Sequence, residues 1–429
     1  MSIEIKEVKS KSDAKQFVNL PFEIYKGSKC WVPPLKAGDM KSLFAETNPA
    51  FDFCKAKFWL AFRNNKCMGR IGAIINDDYN KKTGEKMARF TRLEFFDEAP
   101  SNLPAGQAGS PEGGEHAGVD LPPSGGGGGA LAKLISTAES WAKENGCIGI
   151  HGPLGFANLD TQGLLVEGFE HLQSIGSVYH HPYYHQQLEK LGYAKEIDWL
   201  EFRLTIEEKI VEKVSRGAAL IQKRYGIEAL HFKTMDELLP HSDDIFNILN
   251  DAFRELPFVS EFSPRMIAFY KEKYIKLLNP EFVKMVTMKR KAPSNSPEGG
   301  EHDREANSIP PHRGDGGLEL IGFVVGLPSL SEAMQKANGK LFPFGFLHIL
   351  KARKGKDVMD QLLTGVKKEA MYTGAGVVLM AEIQKEMVSK GMTHIETTGI
   401  FETNINAIAN WKSYGHIQHK RKRCYRKMF

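Results

Sequence analysis

The apolar positions of the chain fall into short runs that switch between two periods. Ile3 to Val8 alternates apolar and polar residues as a half-buried strand does, and from Ser12, a plausible N-cap, to Tyr25 the spacing becomes helical. Phe58 to Arg63 and Met68 to Ile75 flank Asn64-Asn65-Lys66, which predicts a hairpin, and Arg89 to Phe96 predicts another strand. Leu131, Leu134, Ile135, Ala138, Trp141 and Ala142 share one face of a helix from Leu131 to Glu144, which Asn145-Gly146 stops. A buried strand Ile148 to Ile150, a helix Tyr183 to Leu191 closed by Gly192, and a strand Trp199 to Ile206 follow.

After a helix from Glu207 to Lys223 the order repeats. Strand Ile227 to Phe232 leads into helices Asp236 to Leu256 and Pro264 to Leu278, then strands Phe282 to Met288, Leu318 to Leu327 and Asp357 to Val366. Helix Val377 to Ser389, strand His394 to Ile400, helix Asn406 to Tyr414 and strand Ile417 to Lys427 complete the chain. Both halves spell strand, helices, three strands, helix, strand, helix, strand. The expected division is residues 1–206, a connecting helix over 207–226, and residues 227–429.

Ser-Pro-Glu-Gly-Gly-Glu-His interrupts this pattern twice, at Ser110 to His116 and at Ser296 to His302. The surrounding stretches, 99–129 and 292–317, are crowded with Pro, Gly, Ser, Asn and charge and lack the apolar periodicity that repays ordering entropy. The copies fall in non-equivalent loops, which predicts two separate, disordered and dispensable surface insertions.

Composition narrows the class. With 41% hydrophobic and 25% charged residues over 429 positions, two soluble globular domains are affordable. Cys30, Cys54, Cys67, Cys147 and Cys424 show no CxxC spacing and leave an odd count, which argues against a disulfide framework or a zinc site. The first residues lack the apolar centre of a signal peptide, and no run approaches the roughly 18 apolar residues of a membrane span. A cytoplasmic protein without a membrane partner is expected. The net charge of +5 gathers in His419 to Lys427, a run that could meet an anion but reads more plainly as a solvated edge strand.

The most specific segment is Leu362-Leu363-Thr364-Gly365-Val366 followed by Tyr372-Thr373-Gly374-Ala375-Gly376-Val377-Val378-Leu379-Met380. A strand running into a Gly-x-Gly turn that opens a helix, in this order of elements, resembles the GNAT acetyltransferase superfamily. The resemblance implies an α/β fold of two tandem GNAT-like domains, each a mixed, mostly antiparallel sheet flanked by helices. In that family the turn holds the pyrophosphate of acetyl-CoA. Glycines let backbone N–H groups crowd around phosphate oxygens, and the positive end of the helix faces the anion. The resemblance therefore assigns Thr364, Gly365, Val366, Gly374, Ala375 and Gly376, with Asn404 and Trp411, to acetyl-CoA or another acyl-CoA used as co-substrate, without a metal. The alternative is two glycines in a tight strand-to-helix turn. Met371 departs from the family, which places Gln or Arg three residues before the first glycine.

Asn404, Ala407, Ile408, Trp411 and Gly415 resemble the family's Asn-x-x-Ala-Ile-x-x-Tyr-x-x-x-Gly, with Trp411 where the family has its acid. An indole N–H has no accessible acid pKa. Tyr414 is the candidate substitute, and Glu396 and Glu402, in and just after the fifth strand, are the candidate general bases. A packed tyrosine and exposed strand-end charges are the alternatives.

The first half departs further. Phe96-Asp97-Glu98 ends its fourth strand, no Gly-x-Gly precedes Leu131 except the run Gly125 to Gly129, and Leu188 stands at the tyrosine position. Acyl-CoA is thus expected in the second half. The first half has instead a long loop, His151 to Phe169, in which Asn158, Asp160 and Glu167 either bind a polar acceptor or belong to a packed loop sealing the two halves together. The cluster Tyr179-His180-His181-Pro182-Tyr183-Tyr184-His185 invites a metal reading, but adjacent histidines do not share a coordination sphere and no acid is interleaved. The leading expectation is an acyl-CoA-dependent N-acyltransferase acting on a small amine or amino-acid-like acceptor. Its rivals are a Fem-type aminoacyl transferase touching tRNA through the basic C-terminal strand, and a non-catalytic acyl-CoA-binding protein; oligomeric state is left open.

Overall fold

The structure, a computed structural model, describes residues 2–97, 129–289, 317–355, 357–409, 411 and 414–429. Both heptapeptide copies, and the expectation that their insertions are disordered and dispensable, lie outside these residues. The first half contains β1 (Glu4–Glu7), α1 (Lys11–Ile24), α2 (Lys36–Lys41), β2 (Cys54–Arg63), β3 (Lys66–Asn76), α3 (Asp77–Thr83), β4 (Met87–Phe95), α4 (Ala130–Glu144), β5 (Gly149–Gly152), β6 (Leu164–Glu167), α5 (Tyr183–Lys190) and β7 (Ala194–Thr205). Helix α6 (Glu208–Tyr225) leads to β8 (Ile227–His231), α7 (Met235–Leu238), α8 (Ser242–Phe253), α9 (Pro264–Tyr274), β9 (Val283–Lys289) and β10 (Leu318–Pro328). Then come α10 (Ser331–Ala337), α11 (Gly345–Ala352), β11 (Val358–Val366), α12 (Ala375–Ser389), β12 (His394–Thr397), β13 (Ile400–Phe401), α13 (Ile405–Ala409) and β14 (Gly415–Met428).

Local chemistry explains where the elements begin and end. Ser10, not Ser12, caps α1: its Oγ accepts the Asp13 N–H while the Asp13 carboxylate accepts the Ser10 N–H, a reciprocal capping box. The helix expected over Asp236 to Leu256 is broken by a 3-10 turn at Leu239–His241, where Pro240 lacks the N–H that a continuous helix requires. Asn64 and Asn65 both take positive φ, the conformation of the tight turn joining β2 to β3. Helices α10 and α11 occupy a stretch to which the apolar pattern assigns no element.

A single sheet runs through the molecule in the order β1-β2-β3-β4-β5-β14-β7-β12-β11-β10-β9-β8. Its parallel neighbours are β4 with β5 and β11 with β12. At the centre the closing strands are exchanged between halves. β7 pairs with β12 of the second half, β14 pairs with β5 of the first, and the two pair with each other from Gly415↔Thr205 to Arg426↔Ala194. The basic run expected at a solvated edge is therefore the middle of the sheet. Lys420 and Lys422 are buried beside Glu201, and Arg421 and Arg423 both bond Asp198, because a central strand can keep its cations only by pairing them.

Each half has its own apolar core, one beneath α4 and one beneath α12 and α6. A third cluster joins α1 and β2 to Phe156 and to Phe262, Met266 and Tyr270 of the second half. No helix among the described residues is long and apolar enough to cross a membrane.

Candidate functional site

The parallel strand pairs separate partway along their length, once in each half. Pairing of β4 with β5 stops at Arg89↔His151, and that of β11 with β12 stops at Gln361↔Thr397, while β4 and β11 run on. Each continuing strand carries a bulge near the point of separation. Val325 pairs with Leu363 and Gly326 with Gln361, leaving Leu362 extra; in the first half Ile71 faces both Arg92 and Leu93, and Arg92 has φ of 51°. A bulge adds local twist, which here turns the strand away from its parallel neighbour.

In the first half side chains fill much of this opening. The Tyr184 hydroxyl accepts the Phe95 N–H at 3.1 Å and Tyr183 donates to the Phe95 carbonyl at 2.8 Å, so α5 occupies the backbone groups that the separation frees. Tyr25 and Tyr184 both donate to one oxygen of buried Glu94, at 2.6 and 2.8 Å, and Arg70 lies 3.8 Å from the other. Burial raises the Glu94 pKa, a desolvation cost that Arg70 and the two hydroxyls counter. His180 is neutral, its pKa lowered to about 3 by burial, and its Nδ1 accepts the Leu165 N–H. The tyrosine and histidine run that invited a metal reading is thus this plug, and among the described residues no group of three His, Cys, Asp or Glu could hold a metal ion. A cavity of 180 Å³ remains, bordered by Arg70, Arg92, Glu94, Gln173, His180 and Met334.

The second opening differs. Among the described residues no side chain bonds the backbone from Leu363 to Val366, and Thr398 reaches only the Leu362 carbonyl, at 3.1 Å. β11 then passes through a 3-10 turn, Lys368–Thr373, to Gly374, whose φ of 84° favours glycine. A Cβ on Gly374 would sit 2.8 Å from Ile221 Cδ1, whereas one on Gly376 would meet nothing within 4 Å. Gly374 therefore serves the turn and its packing on α6, while Gly376 fronts open space in the first turn of α12. Ala375 N–H is partly occupied by Thr373 Oγ1 at 3.3 Å. An anion at this helix start would meet backbone donors and the helix's positive end.

Beside the separation point Asp360 and Glu396 face each other in register across β11 and β12. Asp360 is fully buried, with the Ser329 side chain and the Ile175 backbone as its polar neighbours. Burial, reinforced by the Glu396 charge, pushes its pKa up to about 8, so it holds a proton at neutral pH. Glu396 accepts from Arg203 Nε at 3.0 Å and also from Nη2. His419, 3.9 Å from Glu396, is buried and neutral, its pKa lowered to about 4, with no hydrogen-bond partner for either ring nitrogen among the described residues. A segment of the first half, Leu172 to Val178, lies over this region: a Cβ on Gly176 would stand 2.7 Å from Thr398 Cγ2, and Ser177 donates to Glu201 at 2.6 Å.

The remaining residues named from the sequence are dispersed. Tyr414 is buried, its pKa raised by desolvation, and its hydroxyl accepts from Gln384 of α12 at 2.7 Å. Trp411 lies in the same core with its ring 6.3 Å from Tyr414 and its N–H without a partner among the described residues. Asn404 Oδ1 accepts the Ala407 N–H, and Glu402 pairs with Lys195 at 2.8 Å while accepting the Asp198 N–H. Asp160 accepts the Phe156 N–H and the Tyr270 hydroxyl, which ties the long loop to α9; Glu167 pairs with Arg421 at 3.0 Å, and Asn158 Oδ1 is unpartnered. Asp360 and His419 were missed by sequence reasoning. The one signal was an acid and a histidine set among the inward positions of central strands.

A scan of protein-family models gives no match. Protein YghO of Escherichia coli (strain K12) is 24% identical over 430 residues, 97% of this chain and 93% of its own. A bacterial ceramide synthase of Caulobacter vibrioides (strain NA1000 / CB15N) is 24% identical over 433 residues, 98% of this chain and 96% of its own. Among solved structures, a GCN5-related glucosamine N-acetyltransferase region of a fungal multi-domain GH3 β-N-acetylglucosaminidase superposes on 99% of this chain with a TM-score of 0.50 at 11% identity; this chain spans 38% of that protein.

Proposed function

We propose that the protein is an acyl-CoA-dependent N-acyltransferase, built on two copies of the GCN5-related N-acetyltransferase fold, whose second half binds the acyl-CoA. The observation that carries this reading is the edge of Leu363 to Val366 that faces away from β10, without a side-chain partner among the described residues, leading into Gly376. An extended pantetheine arm can add to such an edge through its amides, as a further strand would. Its pyrophosphate would lie at Gly376 and the start of α12. The co-substrate supplies an activated thioester; the chain supplies alignment and proton transfer.

Asp360 and Glu396, paired across β11 and β12, are the groups we assign to proton transfer. Glu396 would take one proton from the attacking ammonium, the amide C–N bond would form as the thioester C–S bond breaks, Asp360 would give its proton to the departing thiolate, and the second proton lost by the nitrogen would return to Asp360. Asp360 thereby stands in for the tyrosine that Trp411 replaces. The Leu172 to Val178 segment covering the pair would exclude water, which otherwise hydrolyses the thioester. Similarity to a ceramide synthase along nearly the whole chain favours an amine acceptor carrying a long alkyl chain over an amino acid.

The Fem-type reading loses its main support, since the basic run is enclosed in ion pairs rather than presented to tRNA. A non-catalytic binder differs from the proposed enzyme in one readout. Acetyl-CoA and palmitoyl-CoA should release free thiol in the presence of a sphingoid base or alkylamine; binding of either thioester without thiol release across such a panel would select the binder.

A further inference from the structure

Helices α10 and α11 form an excursion between β10 and β11 that has an inner and an outer face. Inward, Leu330, Ala333, Met334 and Ile349 pack with Val32 of the first half, and Met334 reaches the 180 Å³ cavity. Outward, Phe342, Phe344, Leu347 and Leu350 are 77%, 69%, 51% and 50% exposed. Four large apolar side chains presented within nine residues form a patch of the kind a soluble surface normally avoids.

Charge identifies what covers it. From Ala333 to Gly355 the chain carries Lys336, Lys340, Lys351, Arg353 and Lys354 and no Asp or Glu. An open recess of 430 Å³ beside Leu350 is lined by Lys233, Arg353, Lys354 and Lys390, with Glu281 as its acid. A second copy docked on this face about a two-fold axis would set these cations against their own counterparts. An apolar face rimmed by cations instead matches a bilayer surface, where aromatic and leucine side chains enter the acyl boundary and lysines meet anionic headgroups.

We infer that the Phe342 to Leu350 face docks the protein peripherally on anionic membranes. The inference stands independently of acyl transfer, because docking is read without turnover. It requires no membrane span and departs from the expectation that the protein has no membrane partner.

The test is co-sedimentation of the full chain with vesicles of phosphatidylglycerol and phosphatidylcholine in equal parts, and with phosphatidylcholine alone. The wild-type protein should pellet with the mixed vesicles, much less with the neutral ones, and less again in high salt. The combined Phe342→Ser, Phe344→Ser and Leu347→Ser variant should lose binding, and Lys351→Glu with Lys354→Glu should weaken it by about tenfold or more. Both variants alter exposed side chains and should keep the wild-type thermal melt, which separates lost docking from lost folding. Equal binding by variants and wild type, or no binding to the mixed vesicles, would overturn the inference. So would concentration-dependent dimerisation without lipid that the serine variant abolishes, since the face would then belong to a second copy.

Discussion

The two halves build the same strand separation and use it in opposite ways. In the first, Tyr183 and Tyr184 bond the Phe95 backbone and Glu94 is enclosed by Tyr25, Tyr184 and Arg70, so side chains fill much of the opening and leave a cavity of 180 Å³. In the second, the same stretch of β11 pairs with β10 on one side while its other edge meets no side-chain partner among the described residues, the following turn presents Gly376 to open space, and a protonated Asp360 faces Glu396. A strand separation is thus not a site by itself. What distinguishes a site from a plug is whether neighbouring side chains satisfy the freed N–H and C=O groups, because buried polar groups left unpaired are costly unless a ligand completes them.

Substitutions that disturb one half and spare the other sharpen this contrast. The largest effect is expected at Asp360. Asp360→Asn removes the proton donor and should lower turnover by about 10²- to 10⁴-fold while acyl-CoA binding persists, as single-turnover and equilibrium titrations would show. The same substitution tests protonation through stability. Folding raises this pKa from 3.8 to about 8, so the group's stabilisation is fully present below pH 3.8 and is lost as pH rises through about 8. Urea melts of the wild type should weaken across that window, and Asp360→Asn should flatten the slope; an unchanged slope would contradict a buried neutral carboxyl.

Next in size, Gly376→Asp places a carboxylate where phosphate would lie, and should weaken acyl-CoA binding by about a hundredfold at unchanged melting temperature. Gly374→Asp is a poorer test, since Gly374's positive φ and the nearby Ile221 make it disturb the fold as well. Tyr184→Phe should cost about 1–3 kcal/mol in urea unfolding by leaving the Phe95 N–H and Glu94 short of a partner, with acyl-CoA affinity unaltered. The smallest effect belongs to Glu402→Gln: its pair with Lys195 is solvent-facing, and both stability and turnover should change little, by about 0–1 kcal/mol in the unfolding free energy.

The apolar periods disclosed the repeated order of elements and the glycine turn, because those features depend on neighbours along the chain. Three others were not legible. The exchange of β7 and β14 between halves leaves no local mark, and it turned a run of cations that reads as an edge into the centre of the sheet. The pairing of Asp360 with Glu396 depends on parallel register between strands separated by a helix. The role of Tyr183 and Tyr184 depends on where α5 packs. In each case spatial partners, rather than sequence spacing, set the chemistry.

The asymmetry between the halves is tested most directly by calorimetric titration of acetyl-CoA into the wild-type protein and into Gly376→Asp. Binding of one equivalent to the wild type and binding about a hundredfold weaker to the variant is the expected result. Two equivalents in the wild type, or undiminished binding in Gly376→Asp, would contradict the assignment of the acyl-CoA site to the second half.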